Sequence, residues 1–264
     1  MKTREIIVLA LAGILLVFSL IYLIFMNQSS EREESNVPTT STSVRNDNIV
    51  TDADGNTYDV VKIGEQVWMK SNLRTTHYAD GTEIERTTTC KENEPRYYKD
   101  EETGEIYYNG YIANLKICPD GWHVSSYDDW TKLEDYLVRT GRYSCGKIET
   151  SIAKSLASTE GWDNYNDSEC AIGYNPRTTN NSTGFSALPM GYVHYNEYTF
   201  NEYENPKVYW DDWGAFFLVS GNKKPYGEEK YVYGVRLWVS NEALDPSVYD
   251  RTDCMSVRCV RDEQ

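Results

Sequence analysis

From Ile6 to Met26 the chain runs 21 residues, IIVLALAGILLVFSLIYLIFM, without a charge. Roughly 20 apolar residues at about 1.5 Å rise are what a helix needs to cross a hydrocarbon core, so the pattern predicts a transmembrane segment over residues 6–26. The pattern then inverts: residues 27–48, NQSSEREESNVPTTSTSVRNDN, hold almost nothing to bury and are expected to form a disordered polar stalk. From Ile49 onward apolar and polar positions alternate, with Tyr58 and Val60, Val61 and Ile63, and Val67 and Met69 two apart, interrupted at Asp54-Gly55 and at Gly64. A period of two broken by turn residues predicts short strands joined by tight turns. The Asp52-x-Asp54-x-Asn56 spacing belongs to such a turn. A calcium loop of the EF type needs glycine at its sixth position and glutamate at its twelfth, whereas this chain has Gly55 fourth and Ile63 twelfth.

Helical periodicity surfaces twice. Ser126 with Asp129 three residues on resembles a capping box, Trp130, Leu133 and Leu137 share a face, and Gly141 supplies a stop. These signals predict a helix over about 126–140. A second is predicted near 146–157, where Ile148, Ile152 and Leu156 fall on one stripe. Beyond residue 158 the chain is dense in Gly, Asn, Tyr and Trp, and YVYGVRLWVS and MSVRCVRD read as strands. The expected fold class is α+β, two helices needing a sheet to cover them, followed by an irregular, loop-rich β region.

Charge and cysteine content refine this picture. Lys and Arg number 26 against 41 Asp and Glu, a formal −15, which repels a phosphate backbone and argues against nucleic acid as a partner. Lys2 and Arg4 precede the apolar run, and Glu31, Glu33 and Glu34 follow it with a single Arg32. The positive-inside bias therefore predicts a cytoplasmic stub over 1–5 and places residues 49–264 outside the membrane, on the periplasmic or cell-surface side. No small-x-small cleavage pattern follows Met26, so the segment is read as an uncleaved signal anchor; cleavage would yield a secreted form. All six cysteines, Cys90, Cys118, Cys145, Cys170, Cys254 and Cys259, lie in the exported part, where an even count predicts three disulfides of open connectivity. Zinc is disfavoured, because there is no C-x-x-C spacing and the three histidines, His77, His123 and His194, are far apart.

The segments DADGNTYDVVKIGEQVWMKSNLRTTHYADGTEI, ICPDGWHVSSYDDWTKLEDYL, AKSLASTEGW, NNSTGFSALPMGY and SVRCVRD stand in an order and spacing that resembles the Fibrobacter succinogenes major paralogous domain family, over roughly residues 50–262. The resemblance implies an exported bacterial domain with a fold of the C-type-lectin-like and formylglycine-generating-enzyme-like group. It also implies a bridge between Cys118 and Cys259, with Pro119 and Gly121 shaping a turn and Trp122 packed beneath the following helix; His123, which has no nucleophile partner identifiable in the sequence, is read as structural. Cys90, Cys145, Cys170 and Cys254 would form an added framework of unassigned pairing. Two departures stand out. WGAFFLVSG, from Trp213 to Gly221, replaces the family's tryptophan-serine core, and Cys254-Met255 stands where a glycine usually precedes SVRCVRD.

The functional expectation is a binding module without catalysis that recognises a glycan or a surface protein. Aromatic faces stack on sugar rings while Asn, Asp and Glu hydrogen-bond their hydroxyls. The candidate ligand-binding residues are Tyr192, Tyr195 and Tyr198, then Tyr209, Trp210, Asp211, Asp212 and Trp213 in VYWDDWG. No catalytic, cofactor or metal residue is expected, since no G-x-S-x-G, H-E-x-x-H or phosphate-loop pattern occurs. A structural envelope or appendage component is the alternative from another class. A copper-dependent oxidase built on Cys254 and Cys259 is the alternative that the enzyme side of the resemblance implies. Calcium-lectin signatures are only approximated, by Glu204-Asn205-Pro206 and Trp210-Asp211-Asp212.

Overall fold

The computed structural model describes residues 48–195 and 208–263. The predicted membrane segment 6–26, nearly all of the stalk, the Glu204-Asn205-Pro206 triplet and Tyr198 lie outside these residues. No helix among the described residues is long and apolar enough to cross a membrane.

In chain order the strands are β1 (Ile49–Thr51), β2 (Thr57–Ile63), β3 (Gln66–Met69), β4 (Arg86–Thr87), β5 (Tyr97–Lys99), β6 (Ile106–Asn109) and β7 (Trp122–Val124). Helices α1 (Tyr127–Thr140) and α2 (Ala153–Leu156) follow. Then come β8 (Tyr192–Val193), β9 (Val208–Tyr209), β10 (Gly214–Leu218), β11 (Tyr231–Trp238), β12 (Asp245–Asp250), β13 (Cys254–Met255) and β14 (Cys259–Arg261). They form three sheets, ordered β1-β2-β3-β14-β7, β10-β11-β12 and β4-β5-β6-β13-β8-β9.

The expected α+β, C-type-lectin-like scaffold of two helices on a small antiparallel sheet is thereby corrected. The described chain is mostly β, in three sheets, and its helical content is α1, the single turn of α2 and three short 3-10 turns. The physical reason lies between Cys145 and Ile152. There the Cys145 amide donates to Ser151 O (2.8 Å), the Ser144 hydroxyl donates to Glu149 O (2.6 Å), and a Cys145–Cys170 disulfide ties the segment to a loop. These bonds close a turn where helical bonds would have run. Ile148, expected on the buried stripe, is 60% exposed, while Ile152 and Leu156 are buried.

Helix α1 follows the sequence signals closely. The Ser126 hydroxyl accepts from the Asp129 amide (3.2 Å) and the Ser126 amide donates to the Asp129 carboxylate (2.8 Å), while Gly141 ends the helix at φ 66°. Its buried face presents Trp130, Leu133 and Leu137 to Trp68 of β3, to Phe185 and to Phe217 of β10, with ring centroids 5.1–5.9 Å apart. Trp122 does not pack beneath α1 as expected; it lies half-buried in β7 under the Arg261 guanidinium, 5.1 Å from its ring. The first hairpin turn is organised by Asp52, whose carboxylate accepts from the amides of Asp54 (3.0 Å) and Asn56 (2.9 Å) and from the Tyr58 hydroxyl (2.5 Å).

All six cysteines are paired, as Cys118–Cys259, Cys90–Cys254 and Cys145–Cys170. The first two span 141 and 164 residues. In the chain-entropy account, closing loops of that length in the unfolded state contributes about 5 kcal/mol each. Both bind the C-terminal segment to the sheets, because Cys254 lies in β13 and Cys259 in β14.

Between those strands sits Arg258, 1% exposed. It donates from Nε to Asn72 Oδ1 (2.8 Å), from Nη1 to the carbonyls of Met69 (3.0 Å) and Phe185 (2.7 Å), and from Nη2 to Ser186 O (3.1 Å). Its guanidinium lies 4.5 Å from the Phe185 ring and 5.5 Å from Phe217. Burial pushes its pKa down to about 9, so it keeps its charge at neutral pH. Replacing it by Met would take this donor from four acceptors, three of them buried. Arg258→Met is therefore expected to cost about 3–5 kcal/mol, measured by denaturant unfolding; a loss under about 1 kcal/mol would show the network to be dispensable.

His123 in β7 ties helix α1 to the residue that follows β14, with Nε2 3.0 Å from Asp129 Oδ2 and Nδ1 2.7 Å from Asp262 Oδ1. The Asp129 hydrogen bond raises the imidazole pKa against an opposing burial effect. Burial pushes Asp129 up, yet hydrogen bonds from His123 and Ser126 outweigh it and hold the carboxyl at about 2. The His123 contribution is thus complete below its unfolded pKa of about 6.5 and is lost as pH rises through the raised folded value. That of Asp129 is present at neutral pH and is lost as pH falls towards 2. His123 is 40% exposed, so screening leaves about 0.5 kcal/mol or less. In His123→Gln the decline in stability just above about pH 6.5 should flatten, read as thermal midpoint against pH; the remainder belongs to His194, raised by its hydrogen bond to Asp253.

Candidate functional site

Strands β8 and β9 pair antiparallel with Tyr192 opposite Tyr209, and β9 runs straight into a turn over Trp210–Trp213. Both the Trp213 amide (3.1 Å) and the Gly214 amide (3.0 Å) donate to Trp210 O, which closes that turn. Trp210 adopts φ 65°, a left-handed conformation that a bulky side chain rarely takes. Such an outlier costs about 1–3 kcal/mol and tends to mark functional surface. The rings it carries face water: Trp210 is 50% exposed, Trp213 44% and Tyr209 36%.

Behind the turn stands Trp238, the last residue of β11. Its ring is 5.4 Å from Trp210 and 6.0 Å from Trp213, and it leans on Phe216 at 6.1 Å. Phe216 in turn contacts Tyr192 at 4.7 Å and Tyr249 at 6.0 Å. The exposed indoles therefore rest on a continuous row of rings that reaches the core, which fixes their faces relative to one another. Polar groups frame the platform. Asp211 and Asp212 are exposed in the turn, and Arg236 lies 5.5 Å from the Trp238 ring while its Nε donates to Asp245 Oδ2 (2.8 Å). The turn is held from behind by the Val239 amide on Trp213 O (2.7 Å) and the Asp163 amide on Asp212 O (2.8 Å).

Of the residues named from sequence, Tyr209, Trp210, Asp211, Asp212 and Trp213 form this platform and Tyr192 buttresses it from beneath. Tyr195 lies two residues past β8 with Lys91 Nζ 5.6 Å from its ring. Sequence reasoning missed Trp238, Arg236 and Asp245. The alternation in YVYGVRLWV marks a strand, yet which of its rings meets the VYWDDWG turn depends on the β10–β11 register, where Gly214 faces Trp238.

Among the described residues one group could hold a cation: His194, Asp250 and Asp253, whose ligand atoms lie within 4.8 Å of one another. Asp253 is already satisfied, one oxygen 2.6 Å from His194 Nδ1 and the other accepting from the Asp250 amide (3.1 Å). The group works as a clasp between β8 and the turn after β12. The copper pair considered for an oxidase is divided between two disulfides, Cys254 with Cys90 and Cys259 with Cys118, and so offers no dithiol.

Fold and site together define a disulfide-stapled, mostly β domain that displays a rigid aromatic platform. Residues 61–261 match the model of the Fibrobacter succinogenes major domain, and the chain belongs to that family. No curated protein and no solved structure matches it.

The platform depends on Gly191, at φ 61°, where a Cβ would stand 2.3 Å from Tyr209 O and 3.0 Å from the Asp211 amide nitrogen. Gly191→Ala should push β9 and its turn away. The expected result is altered tryptophan fluorescence and a loss of stability of about 2 kcal/mol, with wild-type spectra and stability counting against the arrangement.

Proposed function

We propose that this protein is an extracytoplasmic binding module whose aromatic platform recognises a glycan. The single observation that carries the reading is the pair of exposed indoles, Trp210 and Trp213, held by Trp238 on a strained turn flanked by Asp211 and Asp212. Stacking needs flat apolar faces in fixed positions, and hydroxyls need carboxylates or a guanidinium at their edge; the platform provides both. Three disulfides support an oxidising location. The charge-free run from Ile6 to Met26 supplies a route of export and a means of membrane attachment.

A glycan array probed with the full-length protein, followed by calorimetry on the best sugar, tests this reading. Trp210→Gly removes a ring and relieves the left-handed backbone at once, so it should weaken sugar binding at least about tenfold while leaving stability unchanged or higher. Trp213→Ala should weaken it similarly. Unaltered affinity in the double variant would reject the platform, and self-association without any sugar bound would favour a structural role.

A further inference from the structure

A second concavity, of about 350 Å³, opens between the start of α1, the segment after β10 and the first half of β11. That volume is in the range of small-ligand sites, roughly 300–1,000 Å³. Its floor is apolar, built from Gly110, Ala113, Val219 and Val232. Its wall is aromatic: the half-buried rings of Tyr127 and Tyr233 stand 5.9 Å apart, with Tyr231 at the edge. Strand residues rise about 3.3 Å each, so Tyr233 and Trp238 stand some 17 Å apart along β11. The cleft is therefore separate from the platform.

Its charge is what sets it apart. The chain as a whole carries −15, yet the cleft is lined by Lys223, Lys224 and Arg251 against Asp128 and Glu229. Glu229 is engaged by Lys224 in an ion pair. Arg251 spends Nε on Gly110 O (3.3 Å) and Nη1 on Glu229 O (3.3 Å), both main-chain carbonyls, and lies 4.8 Å from the Tyr111 ring. Lys223 is exposed with Nζ 5.1 Å from the Tyr127 ring. Among the described residues neither Lys223 nor Arg251 has a carboxylate in ion-pair contact, and the three cations of the lining outnumber its two carboxylates. Across the cleft Asn114 clasps Gly221, its Oδ1 accepting from the Gly221 amide (2.8 Å) and its Nδ2 donating to Gly221 O (3.2 Å), which holds the lysine-bearing segment against the floor.

We infer that this cleft is a second ligand site, for a carboxylated sugar residue. The ring of a pyranose fits the tyrosine wall, and its carboxylate meets Lys223 and Arg251, neither of which has a carboxylate in ion-pair contact among the described residues. A neutral sugar would leave both cations as they are, so the discrimination is for the acid over its neutral counterpart.

The experiment uses the full-length protein with oligomers of a hexuronic acid and, as the control, oligomers of the corresponding neutral hexose, in titration calorimetry. The acidic oligomer should bind more tightly, and its affinity should fall as salt is raised. Lys223→Glu should weaken it about tenfold or more, Tyr233→Leu should weaken it too, and Lys223→Arg should retain it. Trp210→Gly should not alter this binding, which separates failure of the cleft from failure of the platform. Circular dichroism and the thermal midpoint confirm that each variant is folded. Equal binding of the neutral oligomer, indifference to Lys223→Glu, or no binding of the acidic oligomer would each overturn the inference.

Discussion

The guanidinium of Arg258 is the interaction on which the remainder of this architecture depends. It is a full charge in the interior, without a carboxylate in hydrogen-bond contact, and is tolerated because four acceptors drawn from distant segments converge on it. Met69 and Asn72 come from the end of β3 and the segment after it, Phe185 and Ser186 from the loop-rich middle. An isolated buried charge is costly, and a fork of planar donors matched to fixed carbonyls offsets that cost only if every acceptor stays in place. The residue thus imposes one arrangement on segments that have little regular structure of their own. Phe185 and Phe217 flank the guanidinium, and the same two rings pack on Trp130, so the arrangement passes directly to helix α1.

Around this point the C-terminal segment threads two sheets. β13 lies between β6 and β8, and β14 between β3 and β7, each with a cysteine bonded to a residue far back in the chain. The final residues are therefore interior strands, and closure of the domain waits for them. Such long-range pairing is entropically expensive to form, and the two long disulfides act on that side of the balance.

With closure secured there, the irregular half can present rings outward. The platform at Trp210 and Trp213 is rigid because Trp238, Phe216, Tyr192 and Tyr249 stand behind it in sequence, and because Gly191 lets β8 and β9 approach. The strained backbone at Trp210 is sustained by these contacts. At the other end of β11 the surface differs in kind, with tyrosines and three cations against two carboxylates. One strand thus serves two chemically distinct surfaces, one at each end.

What was legible from sequence is what short-range physics determines. The capping box and glycine stop of α1, the alternation in the first hairpin and the run Tyr209 to Trp213 are all carried by residues close in the chain, and the even count of cysteines was legible from composition alone. The second helix shrank to the single turn of α2 because periodicity describes which residues could share a face, while the bonds of Cys145 and Ser144 occupy the carbonyls of Ser151 and Glu149. The balance of strand over helix was hidden for a related reason: many strands here are two to four residues long, too short for a period of two to register. Partners such as Trp238 for Trp210, Tyr233 for Tyr127 and the four acceptors of Arg258 were decided by tertiary structure alone. Register and burial select them, and neither is encoded in the spacing of neighbours.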